Sequence, residues 1–202
     1  QHAKSACRAA LAMLERLKAL NADLAEEAKR VGRQHFPIAI GIGLNSAVCC
    51  VGNMGSQQRF DYSVLGDGVN LASRLEGQTK LYGIATLIGE ETRSLAPEYA
   101  ALEVDLIRVK GKTAPARVYT LLGGPERAKT DSFRALEALQ AGFLVAYRAA
   151  QWDAAERALA QIAAAGGGEL AGLCAAYAER IAVFRKDPPP PGWDGVYVAE
   201  TK

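Results

Sequence analysis

From Ala3 to about Arg33 the apolar residues Cys7, Leu11, Leu14, Leu17, Leu20, Leu24 and Val31 recur every three or four positions, which predicts an amphipathic helix. The period then changes to two. After Pro37, the bulky Ile38, Ile40, Ile42 and Leu44 alternate with Ala39, Gly41 and Gly43, predicting a strand with one large face and one that lets a neighbour approach closely. The turn residues Asn45-Ser46-Ala47 and the run Val48 to Gly52 predict a second strand folded back on the first as a hairpin. Asn53 to Gln58 reads as a polar loop. Tyr62 to Leu65 reads as a short strand entering a helix that Asp67 caps and that ends near Gly77 or Thr79. Ile84 to Ile88 predicts a buried strand, and Glu90 to Leu95 a short helix stopped by Pro97. Val104 to Val109 and Arg117 to Leu122 predict a hairpin around Lys110-Gly111-Lys112. Strands alternating with helices in this way imply an α+β sheet covered by helices.

Gly123-Gly124-Pro125 marks a boundary. Beyond it come three helical stripes: Phe133, Leu136, Leu139, Phe143 and Tyr147; Trp152, Ala155, Leu159 and Ile162; and Leu170, Leu173, Tyr177 and Ile181. The organisation is therefore residues 1–124, a small all-α tail over 125–186, and a Pro-rich extension over 187–202. The tail resembles a degenerate tetratricopeptide unit, and one such unit cannot bury its own face, so it is expected to pack on the first domain or on a partner. Pro188 to Pro191 predicts a polyproline II segment leading to Trp193 and Tyr197, which read as packing anchors.

At 202 residues and half apolar, the chain is long enough for one core-forming domain with an appendage. Its formal charge of +2, with both signs interspersed, lacks the electrostatic footprint of a nucleic-acid binder. No apolar run is long enough to span a bilayer, and the opening Gln-His-Ala-Lys lacks the shape of a signal peptide, so a soluble, cytoplasmic chain is expected. Cys7, Cys49, Cys50 and Cys174 form no CxxC pair beside a histidine cluster, which excludes a zinc pattern. Cys49 and Cys50, adjacent in a predicted strand, are expected to be small buried hydrophobes. Gly41-x-Gly43 lies inside a strand with no helix after it, so it is read as a packing feature and not as a phosphate loop. Asp61, Asp67 and Asp105 are read as a cap and strand residues in preference to metal ligands.

The candidate chemistry sits in the run from Arg59 to Arg74, RFDYSVLGDGVNLASR. Asn70 and Arg74 are one helical turn apart and face the same way. A guanidinium fork binds phosphate and an amide fixes a sugar or ring oxygen, so the pair suits an anionic, polar ligand. With Ile40-Gly41-Ile42-Gly43-Leu44-Asn45, Val51-Gly52-Asn53-Met54-Gly55-Ser56 and Val109-Lys110-Gly111-Lys112, this run closely resembles class III adenylate and guanylate cyclase catalytic domains, over about Gln1 to Gly123. The likeness is greatest to bacterial adenylate cyclases that carry a membrane-bound sensor.

The resemblance implies a ferredoxin-like nucleotide cyclase fold, incomplete at its N-terminus and followed by the helical tail. It implies conversion of ATP to cyclic AMP and pyrophosphate in a head-to-tail dimer of two cyclase domains. Asn70 matches the residue that orients the ribose, Arg74 the one that neutralises charge on the reacting α-phosphate, and Lys110 the one that binds the terminal phosphates. Ser63 falls at a base-reading position where many members have Asp and others Thr or Ser. The two aspartates that hold Mg2+ or Mn2+ in the family lie upstream of the long first helix, so this chain is expected to lack the metal ligands, the first core strand and the usual adenine-reading lysine, and to be inactive alone. A membrane would be reached only through an N-terminal sensor outside this sequence. Two non-catalytic readings stand beside this one: a pairing or regulatory module for a complete cyclase, and a protein-interaction fragment working through Trp152 and the Pro-rich end.

Overall fold

The computed structural model describes residues 1–56, 59–109 and 114–199. The fold is mixed α+β. Its elements run α1 (His2–Arg30), β1 (Ile42–Leu44), β2 (Cys50–Ser56), β3 (Arg59–Leu65), α2 (Asp67–Tyr82), β4 (Thr86–Gly89), α3 (Glu90–Leu95), β5 (Ala100–Val109), β6 (Ala116–Gly123), α4 (Pro125–Ala128), α5 (Asp131–Arg148), α6 (Trp152–Ala165), α7 (Ala171–Lys186) and β7 (Tyr197–Ala199). The main sheet has the order β1-β4-β6-β5-β7. β1 runs parallel to β4 and β7 parallel to β5, while β6 is antiparallel to both its neighbours.

Side-chain alternation sorts the sheet's two faces. Leu87 of β4 joins Leu75 and Tyr82 of α2 and the tail residues Phe133, Phe143, Tyr147 and Tyr177 in one apolar cluster. Ile88, the next residue, joins Ala3, Cys7 and Ala10 of α1 and Tyr99 in a second. The tail thus shares a core with the sheet. Its three predicted stripes are the inward faces of α5, α6 and α7, with Phe143, Tyr147, Ile162, Tyr177 and Ile181 fully buried.

Several expectations need correction. Ile38 to Leu44 and Val48 to Gly52 do not form a hairpin: β1 pairs with β4, and β2 pairs antiparallel with β3 from Cys50↔Leu65 to Ser56↔Arg59. The physical reason lies at Asn45, whose amide donates to the Gly68 carbonyl at 3.1 Å, so the segment after β1 crosses to α2 and does not reverse. Asn53 to Ser56 accordingly belong to β2 and not to a loop. Of the long first strand only Ile42–Leu44 is strand; ahead of it the Asn21 side chain both donates to and accepts from the Ile38 backbone, each at 2.8 Å. Cys50 opens β2 exposed and Cys49 is half-buried, because this two-stranded sheet stands apart from the main one. α1 is buried only at Ala3, Cys7 and Ala10, so of its predicted stripe Cys7 alone is buried, and Leu20 is exposed.

α2 also differs in detail. Gly66, not Asp67, is the N-cap, and Asp67 sits in the first turn, where its charge complements the helix dipole. The helix passes through Gly77 and Thr79 and ends at Tyr82, where Gly83 takes the left-handed conformation (φ 58°) that closes helices. Thr79 does not break the helix because its hydroxyl donates back to the Glu76 carbonyl at 2.6 Å.

Candidate functional site

α2 is the element that presents the predicted pair. Its inner face is Leu71, Leu75, Gln78, Thr79 and Tyr82, of which the last four are buried. Gly41 and Gly43 let the helix lie close on the sheet edge: a Cβ on Gly43 would collide with the Ala72 carbonyl oxygen and the Glu76 nitrogen, and one on Gly41 with the Thr79 hydroxyl. The two glycines are thus packing residues, as their strand context implies. The helix is seated through its backbone, and residues beside the inner face stay available.

Asn70 is exposed and Arg74 half-buried. Neither has a side-chain hydrogen bond or ion pair to another described residue. Gln78, the next residue on the same row at i+4, is 7% exposed, and its Oε1 has no hydrogen-bond partner among the described residues. The row 70, 74, 78 therefore carries an exposed amide, a free guanidinium and an orphaned buried carbonyl. Gln78 was not legible as a candidate from the sequence; the signal was its i+4 spacing from Arg74.

Ser63 lies on β3 opposite Gly52, exposed, three residues before the Gly66 cap. No described hydrogen bond joins its side chain to Asn70 or Arg74. Lys110 lies outside the described residues; Val109, before it, is the last residue of β5.

A cleft of about 560 Å³ lies beside the start of α2, lined among others by Asn45, Asp67, Leu71, Glu90 and Glu91. Asn70 and Arg74 are not in its lining. The cleft and the predicted pair are therefore separate features.

The antiparallel pair β2 and β3 leading into α2 exposes apolar side chains. Val48, before it, is 99% exposed, and within it Tyr62 is 78% and Val51 and Leu65 each 60% exposed. A two-stranded hairpin is marginal in water without a covering partner, and patches of this kind mark association surfaces.

Residues 1–123 match the family described as Adenylate and Guanylate cyclase catalytic domain, and the chain belongs to that family. It is similar to Adenylate cyclase 1 of Rhizobium meliloti (strain 1021), with 36% identity over 124 residues, 61% of this chain and 18% of that one. It is also similar to Adenylate cyclase of Anabaena cylindrica, with 37% identity over 119 residues, 56% of this chain and 23% of that one. The chain thus spans about a fifth of the length of these curated relatives. Among solved structures, the adenylyl cyclase CyaB from P. aeruginosa is 33% identical, with a TM-score of 0.47, covering 56% of this chain and 55% of that one.

Cyclases of this family generally use a divalent metal ion. Among the described residues no three or more His, Cys, Asp or Glu side chains converge in a position to hold one. Nor is any described helix long and apolar enough to cross a membrane.

Proposed function

We propose that this chain supplies one half-site of an adenylate cyclase, working on ATP in the cytoplasm across a head-to-tail pair with a second cyclase domain. The observation that carries the reading is the unpartnered Asn70 and Arg74 on one side of α2, inside the sixteen-residue signature. In the reaction the ribose 3′-oxygen forms a bond to the α-phosphorus, the α–β bridging bond breaks, pyrophosphate leaves with that electron pair, and the hydroxyl proton passes to solvent. Asn70 hydrogen-bonds the ribose and holds the 3′-oxygen in line. Arg74 donates to the non-bridging α-phosphate oxygens, where charge builds up in the transition state. Lys110 grips the terminal phosphates, and Ser63 is the base-facing residue. The exposed Val51 of β2 and Tyr62 and Leu65 of β3 support pairing, since a covering domain would remove these apolar side chains from water.

The chain alone is expected to make no cyclic AMP with magnesium or manganese. Mixed with a complete related cyclase disabled at its own helix Asn and Arg, it is expected to restore synthesis. Absence of synthesis in a mixture shown to contain the hetero-pair would leave the non-catalytic pairing reading in its place.

A further inference from the structure

Contacts from the tail converge on three consecutive residues of β5. Gln140 Nε2 donates to the Glu103 carbonyl at 2.8 Å, and Arg148 pairs with the Glu103 carboxylate at 2.5 Å. The Tyr177 hydroxyl donates to the Val104 carbonyl at 2.7 Å. Arg180 pairs with Asp105 Oδ2 at 2.5 Å. Asp105 is 1% exposed, and its Oδ1 accepts from the Leu106 amide at 2.8 Å. The oxygen that Arg180 holds also accepts, at 2.6 Å, from the hydroxyl of Tyr82, the last residue of α2. The Arg180 guanidinium lies over the Tyr197 ring of β7, 3.5 Å from its centroid, and 5.0 Å from that of Tyr82.

A second contact holds the same end of α2. Gly83 meets Gly172 of α7 so closely that a Cβ on Gly83 would stand 2.7 Å from the Gly172 Cα. The helix that carries Asn70 and Arg74 is therefore gripped by α7 at its C-terminal end through Asp105 and through this glycine contact. A buried ion pair adds little net stability over an apolar replacement, but its directional bonds fix one arrangement of the elements they join.

Building on the half-site reading of Asn70 and Arg74, we propose that Arg180 is a positioning residue for that half-site: through Asp105 and Tyr82 it sets the rotation and axial position of α2. The tail is then part of the catalytic unit and not an appendage. A helix turns as a rigid body, and a rotation of about 10° moves a side-chain tip some 6 Å from the axis by about 1 Å. Misplacement on that order can cost about a hundredfold in rate.

Tyr82→Phe removes one hydroxyl and keeps the ring, while Arg180→Lys keeps the charge and loses the fork. In the hetero-pair restored by this chain, each is expected to lower kcat roughly tenfold, with KM for ATP and the concentration for half-maximal pairing within about twofold. Arg185→Lys, on the same helix but paired with Asp153 and Glu156 inside the tail, is expected to leave kcat unchanged. Parental kcat in the Tyr82→Phe and Arg180→Lys pairs would overturn the proposal. If the parent chain restores nothing, the half-site reading fails, and amide hydrogen exchange of the full chain decides the positioning claim. Tyr82→Phe is then expected to speed exchange across α2 while α6 keeps its parental rates; α2 unchanged, or both helices changed alike, would overturn it.

Discussion

Gly43→Ala on β1 and Gly77→Ala on the exposed side of α2 each add one methyl group, and their effects are expected to have opposite signs. On β1, a Cβ at Gly43 meets the Ala72 carbonyl oxygen, the Glu76 nitrogen at 2.5 Å and the Glu76 Cα at 3.1 Å, all backbone atoms of α2. No side chain can swing aside, so the helix itself must lift from the sheet. Overpacking typically costs about 1–3 kcal/mol, and a clash with backbone belongs at the upper end, about 3 kcal/mol. In a domain of this size each kcal/mol moves Tm by about 2–4 °C, so Gly43→Ala is expected to melt about 6–12 °C lower. At Gly77, within α2, an added Cβ has nothing within 4 Å, and alanine is the better helix former by about 0.5–1 kcal/mol. Gly77→Ala is expected to melt about 1–4 °C higher. Thermal unfolding by circular dichroism, with two-state behaviour checked by a second probe, measures both. A Gly43→Ala chain melting within about 1 °C of the parent would refute the claim that backbone contact seats α2 on the sheet.

Other outcomes follow from the same packing. Leu75→Ala empties a fully buried position between α2 and the core and is expected to cost about 2–5 kcal/mol in urea unfolding; a loss under about 1 kcal/mol would mean that the site is not packed as described. Burial pushes the phenols of Tyr82 and Tyr177 well above the usual tyrosine range and that of Tyr147 up to about 12. Folded values raised in this way give stability that is complete below the unfolded value near 10 and is lost as pH rises through the folded values. Each tyrosine contributes a slope of about 1.4 kcal/mol per pH unit in that window. Melting temperature is expected to hold up to about pH 9.5 and then fall steeply, and a flat profile to pH 11.5 would contradict the burial of these hydroxyls. Asn70→Ala is expected to leave stability within about 0.5 kcal/mol, since an exposed side chain without partners contributes little.

The sequence made legible those elements whose signal is local. The stripes of α5, α6 and α7, the strands β5 and β6 and the glycine face of β1 are written in period and in glycine position, while Asn70 and Arg74 stand out through the resemblance of the run around them to the cyclase signature. What it did not disclose is partnership across distance. Alternation along Ile38 to Leu44 says which face is bulky but not that the neighbour is β4, and a plausible turn at Ser46 favoured the wrong strand. Asp105 could be weighed only as a metal ligand or a strand residue, because its cation, Arg180, is 75 positions away on α7. The Pro-rich extension turns back after Pro190, where the Trp193 amide donates to the Pro190 carbonyl at 3.0 Å, and Trp193 then packs against Tyr147, Trp152 and Phe184. Trp193, read as a packing anchor, does pack, together with Trp152 in the chain's own aromatic cluster.

We propose that Arg74 acts on the reacting phosphate across a domain pair. It is tested most directly by cyclic AMP formation in hetero-pairs of a helix-disabled cyclase with this chain, comparing Arg74, Arg74→Lys and Arg74→Ala at equal pair concentration. Loss of such a donor costs on the order of a hundredfold or more in kcat, so robust synthesis is expected with the parent, a fall of about that size with Ala, and partial retention with Lys. Equal rates from all three pairs would contradict it.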